Sequence, residues 1–124
     1  GLWQINGPAQ FIATQAFSDV AWQQQARITI AENAKATQAL FAPLLHHYQA
    51  QPCQANDLFF SYKLPYTKAR QLAESLAYKG ILIRVVDIEG DESALLRIGT
   101  LPSHRYPHSS AYAETKKRLA ALLF

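Results

Sequence analysis

Methionine is absent from this chain and cysteine occurs once, at Cys53. A lone cysteine excludes a disulfide within the chain and any cysteine-rich metal site, and it fits a reducing, cytoplasmic setting. Charge is sparse as well. Twelve Lys and Arg stand against nine Asp and Glu, and the basic residues are scattered apart from Lys116, Lys117 and Arg118, which argues against a nucleic-acid-binding stripe. No apolar run approaches the length of a bilayer span, and no targeting segment is recognisable. The sequence also lacks a glycine-rich phosphate loop, HExxH, GxSxG and any pair of carboxylates in a shared setting, so the commonest hydrolase and nucleotide-binding signatures are missing. A chain that opens on Gly1 and contains no Met is expected to be part of a longer product.

What is present suits one compact domain. The 124 residues are 49% hydrophobic, enough for a modest single core, with no repeat and no internal boundary. Asn6 is placed to cap a first helix that takes Gly7 and Pro8 in its opening turn and runs to about Phe17. Ser18 and Asp19 offer the next cap. From Val20 a long amphipathic helix follows, with Ala26, Ile30, Ala34, Thr37, Phe41 and Leu44 at helical spacing, Pro43 predicting a kink or an early stop, and the last turn around Leu45 to Tyr48. Residues 49–57 read as a polar loop. Alternation from Leu58 to Leu64 predicts a strand, and Ala69, Leu72, Ala73, Leu76 and Ala77 predict a helix from Thr67 that Gly80 ends in the left-handed conformation. After a loop over 102–109 comes a last helix with Tyr112, Leu119, Leu122 and Leu123 in one stripe. The expected order is α-α-β-α-β-β-α: linker helices over 7–48, then an α+β core over 56–124, a small mostly antiparallel sheet covered by helices on one face.

The centre of the pattern is the stretch 80–102. Two β-rich runs, Ile81 to Ile88 and Ala94 to Leu101, flank a short acidic turn with Gly90 and read as a hairpin. A loop over 89–92 makes Ile88 oppose Ser93, Val86 oppose Leu95 and Arg84 oppose Arg97. Opposed residues share a face, so Ile83, Val85, Leu96 and Ile98 form the core side and the two arginines stand together on the other. Facing like charges cost roughly 0.2 to 1 kcal/mol, and a guanidinium fork matches a carboxylate or phosphate. The pair therefore points to an anion. On pattern alone, arginines lying on a solvated face or paired with Asp and Glu explain it equally well.

Other reactive side chains suggest less. His46 and His47 are adjacent on a helix and point to different sides, a poor geometry for one metal; solvated histidines are the plainer account. His104 and His108 share a loop with Arg105 and Tyr106 but have no partner base or nucleophile nearby in sequence. Cys53 reads as a spare thiol rather than a nucleophile.

Four stretches, LWQINGPA at 2–9, ANDLFFS at 55–61, LAESLAYKGILIR at 72–84 and LLRI at 95–98, together resemble the C-terminal small domain of fold-type I aminotransferase-family enzymes, which use pyridoxal phosphate. Within the family the similarity is greatest to threonine-phosphate decarboxylases of cobalamin biosynthesis, on the Trp3 segment and Asn6 to Ala9, with histidinol-phosphate aminotransferases the near relatives. The resemblance implies that Arg97 grips a substrate carboxylate and that Arg84 lies near a substrate phosphate. It further implies a homodimeric parent, a small amino acid phosphate as substrate, and a cofactor held mainly by a large domain that supplies the aldimine lysine. Lys35, Lys63, Lys68, Lys79, Lys116 and Lys117 sit on expected surfaces, so the chain alone is expected to be inactive and to hold no cofactor, no metal and no catalytic residue. Three readings follow: the substrate-binding part of a decarboxylase, the same part of an aminotransferase, or a stand-alone α+β module for an anion or a protein partner. The first two predict an apolar or concave surface around Trp3, Phe11 and the arginine side of the hairpin.

Overall fold

A computed structural model of the chain describes residues 4–102 and 110–123. The element order is α1 (Gly7–Ser18), α2 (Val20–His47), β1 (Gln51–Ala55), β2 (Phe59–Pro65), α3 (Tyr66–Tyr78), β3 (Arg84–Asp87), β4 (Ser93–Gly99) and α4 (Ser110–Leu123). This is an α+β fold with one four-stranded antiparallel sheet in the order β1-β2-β4-β3. Because β4 runs antiparallel to both β2 and β3, those two are parallel, and α3 crosses between them over the inserted β4.

The helix ends follow local chemistry. Asn6 caps α1 by accepting from the Ala9 N–H at 2.9 Å, and Asp19 caps α2 by accepting from Trp22 at 2.8 Å. Pro43 lies inside α2, which ends at His47 with Tyr48 as its C-cap, within the last turn expected around Leu45 to Tyr48. At the end of α3, Gly80 takes φ +75°, its N–H bonds to the Ala77 carbonyl, and the Ile81 N–H returns to the Leu76 carbonyl at 2.9 Å. That is a Schellman ending, sealed by contact between the buried Leu76 and Ile81.

The sheet differs from expectation in one element. Residues 51–55, read as loop, form β1, which makes the order α-α-β-β-α-β-β-α. Every β1 residue is exposed and the strand holds Pro52, so it carries no alternating apolar signal; it exists through pairing with β2. Its register slips between Pro52 and Gln54, leaving Cys53 as a bulge on the edge. The hairpin is also shorter than its β-rich runs. Ile81 is engaged in closing α3, and Ile88 does not pair with Ser93, whose N–H instead donates to the Asp91 carboxylate at 3.0 Å. The helix expected from Thr67 starts at Tyr66, held by its N–H to the Glu92 carbonyl at 2.8 Å.

The core lies between one face of the sheet and the helices. Phe60, Leu64, Ala94, Leu96 and Ile98 from β2 and β4 meet Phe41, Leu44 and Leu45 of α2, Ala69, Leu72 and Leu76 of α3, and Leu119 of α4. Ile83 and Val85 pack at its margin as the hairpin pattern requires. Phe41 and Phe60 stack edge to face with centroids 6.3 Å apart. Thr37, fully buried, donates to the Asn33 carbonyl and accepts from the Leu101 N–H at 3.0 Å, tying the segment after β4 to α2. The buried residues of α2 begin at Ala34, and α1 has none. Ile5, Phe11, Ile12, Phe17, Val20, Trp22 and Ile28 are exposed. No helix among the described residues is long and apolar enough to cross a membrane.

Candidate functional site

The antiparallel ladder between β3 and β4 sets Arg84 directly opposite Arg97, with Val85 opposite Leu96, Val86 opposite Leu95 and Asp87 opposite Ala94. The register is the expected one. It follows from burial: the face with Ala94, Leu96 and Ile98 is closed by helices, so a one-residue slip drives an arginine into the core. Pairing of β4 with β2 sets Ser61 beside Arg97, Lys63 beside Leu95 and Phe59 beside Gly99. Pairing of β2 with β1 adds Gln54 beside Ser61. One row, Arg84, Arg97, Ser61 and Gln54, thus crosses all four strands on the face away from the helices, spanning about 14 Å at the usual strand spacing.

Arg97 is half-buried and its guanidinium carbon lies 3.7 Å from the centroid of the Phe59 ring. Stacking occupies the face of the guanidinium and leaves its edge N–H donors free for a planar acceptor. Arg84 is exposed. Among the described residues neither arginine forms an ion pair: Lys63 takes Asp91 at 2.7 Å, Arg70 meets Asp87 at 3.9 Å, and Arg118 takes Glu114 at 2.9 Å. Asp87, although in β3, belongs to the opposite face from Arg84 and turns to α3. The pKa of the Asp91 carboxyl is lowered from its ordinary value because it accepts from Lys63 and then from the Ser93 N–H. The arrangement is two opposed cations on an open sheet face, one of them held by an aromatic ring, with no described carboxylate to neutralise them. Such a surface can orient an anion; the row holds no base to activate the Ser61 hydroxyl.

The remaining candidates are dispersed. His46 and His47 are exposed at the end of α2, with His47 edge-on to Tyr48. Cys53 is exposed at the β1 bulge. Trp3, His104, Arg105, Tyr106 and His108 lie outside the described residues. Phe11 is 67% exposed, and a cavity of about 700 Å³ opens in the elbow of α1 and α2 between Ile12, Ala16, Val20 and Trp22. No group of three His, Cys, Asp or Glu gathers among the described residues. Five of the six lysines are exposed and Lys63 is paired with Asp91; Lys63 and Lys68 line a cavity of about 280 Å³ together with Tyr48, Gln51 and Ser93.

Sequence reasoning missed Phe59 and Ser61 as members of the arginine face. The alternation from Leu58 to Leu64 implies that Phe59, Ser61 and Lys63 share one face of the strand, but nothing local pairs β2 with β4. No family model matches the chain, and no curated protein or solved structure does either.

Proposed function

We propose that the arginine row is an anion-recognition surface and that its ligand is a small amino acid phosphate. On this reading the chain is the substrate-gripping small domain of a pyridoxal-phosphate enzyme similar to threonine-phosphate decarboxylase. The observation that carries it is the direct opposition of Arg84 and Arg97 with no internal carboxylate between them. Two guanidinium groups on adjacent strands match a ligand with two anionic ends. Arg97, steadied by Phe59, takes the carboxylate, and Arg84 takes the phosphate. Hydrogen bonds to charged groups contribute about 1.5 to 3 kcal/mol each, ample to hold a substrate in one orientation. The exposed apolar residues of α1 and the first half of α2 fit a surface that another domain covers, and that domain brings the cofactor and its lysine.

The deciding experiment is turnover. The complete protein carrying this chain, supplied with pyridoxal phosphate and L-threonine O-3-phosphate, is expected to release carbon dioxide and aminopropanol phosphate, and Arg97→Ala to abolish this while cofactor absorbance is retained. Transamination of histidinol phosphate without decarboxylation transfers the reading to an aminotransferase. An unchanged rate in Arg97→Ala removes the arginine from the account.

A further inference from the structure

The two arginines of the row are held very differently. On the arginine face Arg97 has Arg84 opposite it on one side and Ser61 on the other. A guanidinium extended over Arg84 meets a like charge, which opposed strands disfavour. Phe59 lies diagonally from Arg97, two residues before Ser61 on β2, and diagonal neighbours on a sheet are within reach of aromatic and long side chains. The Arg97 guanidinium is found there, its carbon 3.7 Å from the ring centroid. The ring is not held by its own ladder partner. Phe59 pairs with Gly99, and a Cβ built on Gly99 meets nothing within 4 Å, so the ring has not closed over the bare glycine as an aromatic residue opposite glycine can. Nor does the backbone at Gly99 have a positive φ, so neither conformation nor crowding calls for glycine there; what it leaves is open space beside Arg97. Arg84, by contrast, is exposed and stacks on no ring among the described residues.

We propose that Phe59 is the positioning residue that makes the row select ligands by their carboxylate. This rests on the arginine-pair reading and deepens it. A ligand that uses both donors of a guanidinium fork must fix one rotamer of a long side chain, which weakens binding by about fivefold. The Phe59 ring removes that cost for Arg97 before the ligand arrives, and nothing removes it for Arg84. Arg97 therefore presents a fixed fork to a carboxylate, while Arg84 moves to meet the phosphate. L-Threonine O-3-phosphate has both anionic ends, and aminopropanol phosphate is the same skeleton without the carboxylate. Substrate and product differ at the group that the ring-held arginine reads, so Phe59 sets the margin between holding one and releasing the other.

The test compares these two ligands. The 124-residue chain, Phe59→Leu and Phe59→Tyr are titrated by calorimetry with L-threonine O-3-phosphate and with aminopropanol phosphate. Wild type is expected to bind the amino acid phosphate at least about tenfold more tightly. In Phe59→Leu that margin shrinks by about fivefold, all of it through weaker binding of L-threonine O-3-phosphate, and Phe59→Tyr, which keeps the ring, retains the wild-type margin. A margin unchanged in Phe59→Leu, or affinities for both ligands that fall by the same factor, overturns the proposal and leaves the arginine pair standing. A second measurement needs no ligand. A guanidinium over an aromatic ring is shielded, so the Arg97 Nε–Hε proton of the free wild-type chain resonates upfield of that of Arg84 and moves toward it in Phe59→Leu; coincident resonances in wild type overturn the proposal too. A wild-type chain that shows the shielded resonance yet binds neither ligand fails the arginine reading itself, and this proposal falls with it.

Discussion

Gly80→Ala tests how the last helix is fastened to the sheet layer. Gly80 sits at φ +75°, where an L side chain costs about 1 to 2 kcal/mol. A Cβ built there also collides with the Arg118 guanidinium, whose Nη1 donates to the Lys79 and Gly80 carbonyls at 3.2 and 3.1 Å. Arg118 reaches across from α4 and satisfies carbonyls at the end of α3, and the methyl group displaces it. Those bonds are partly solvated, so their loss adds about 0.5 to 1 kcal/mol. The expected destabilisation is about 2 kcal/mol, read as a fall of roughly 8 °C in Tm for a chain of this size. Thermal and urea melts of wild type, Gly80→Ala, Arg118→Ala and the double variant form a cycle. In the Arg118→Ala background the glycine replacement is expected to cost only its backbone strain. A Gly80→Ala chain as stable as wild type refutes the Schellman ending; a cost identical in both backgrounds refutes the part assigned to Arg118.

Two other substitutions address the core and the turn. Thr37→Val keeps shape but removes the acceptor of the part-buried Leu101 N–H, so a loss of about 1 kcal/mol is expected in urea unfolding, where an apolar-for-apolar exchange of that size is nearly neutral. Asp91 has its folded-state pKa lowered by Lys63 and the Ser93 N–H, so its contribution to stability is complete above the unfolded value of about 4 and disappears as pH falls through the lower folded value. Asp91→Asn should therefore flatten the acid limb of the urea midpoint against pH while leaving the slope between pH 6 and 8 as it was; parallel acid limbs count against the pairing.

How much of this was legible in the residues depends on whether a pattern was local. Caps at Asn6 and Asp19, the left-handed Gly80 and the apolar stripe of α3 are set within a few residues, and they form as read. The hairpin register was legible because burial of Leu96 and Ile98 on one face leaves a single alignment that spares both arginines. Two things were not. The strand β1 is polar, holds Pro52 and is defined by its partner rather than by its own composition. The stacking of Arg97 on Phe59 and its pairing with Ser61 depend on β2 lying beside β4, an adjacency between segments far apart in the chain that no short pattern encodes.

Anion binding by the arginine row is the claim on which everything functional rests, and the side-chain Nε–Hε resonances of Arg84 and Arg97 report on it directly. Titrating the chain with L-threonine O-3-phosphate at low salt is expected to move both resonances along one saturable curve, to weaken with added chloride and to vanish in Arg97→Ala. Resonances that stay in place at millimolar ligand, or an Arg84 resonance that moves equally in wild type and Arg97→Ala, contradict the account.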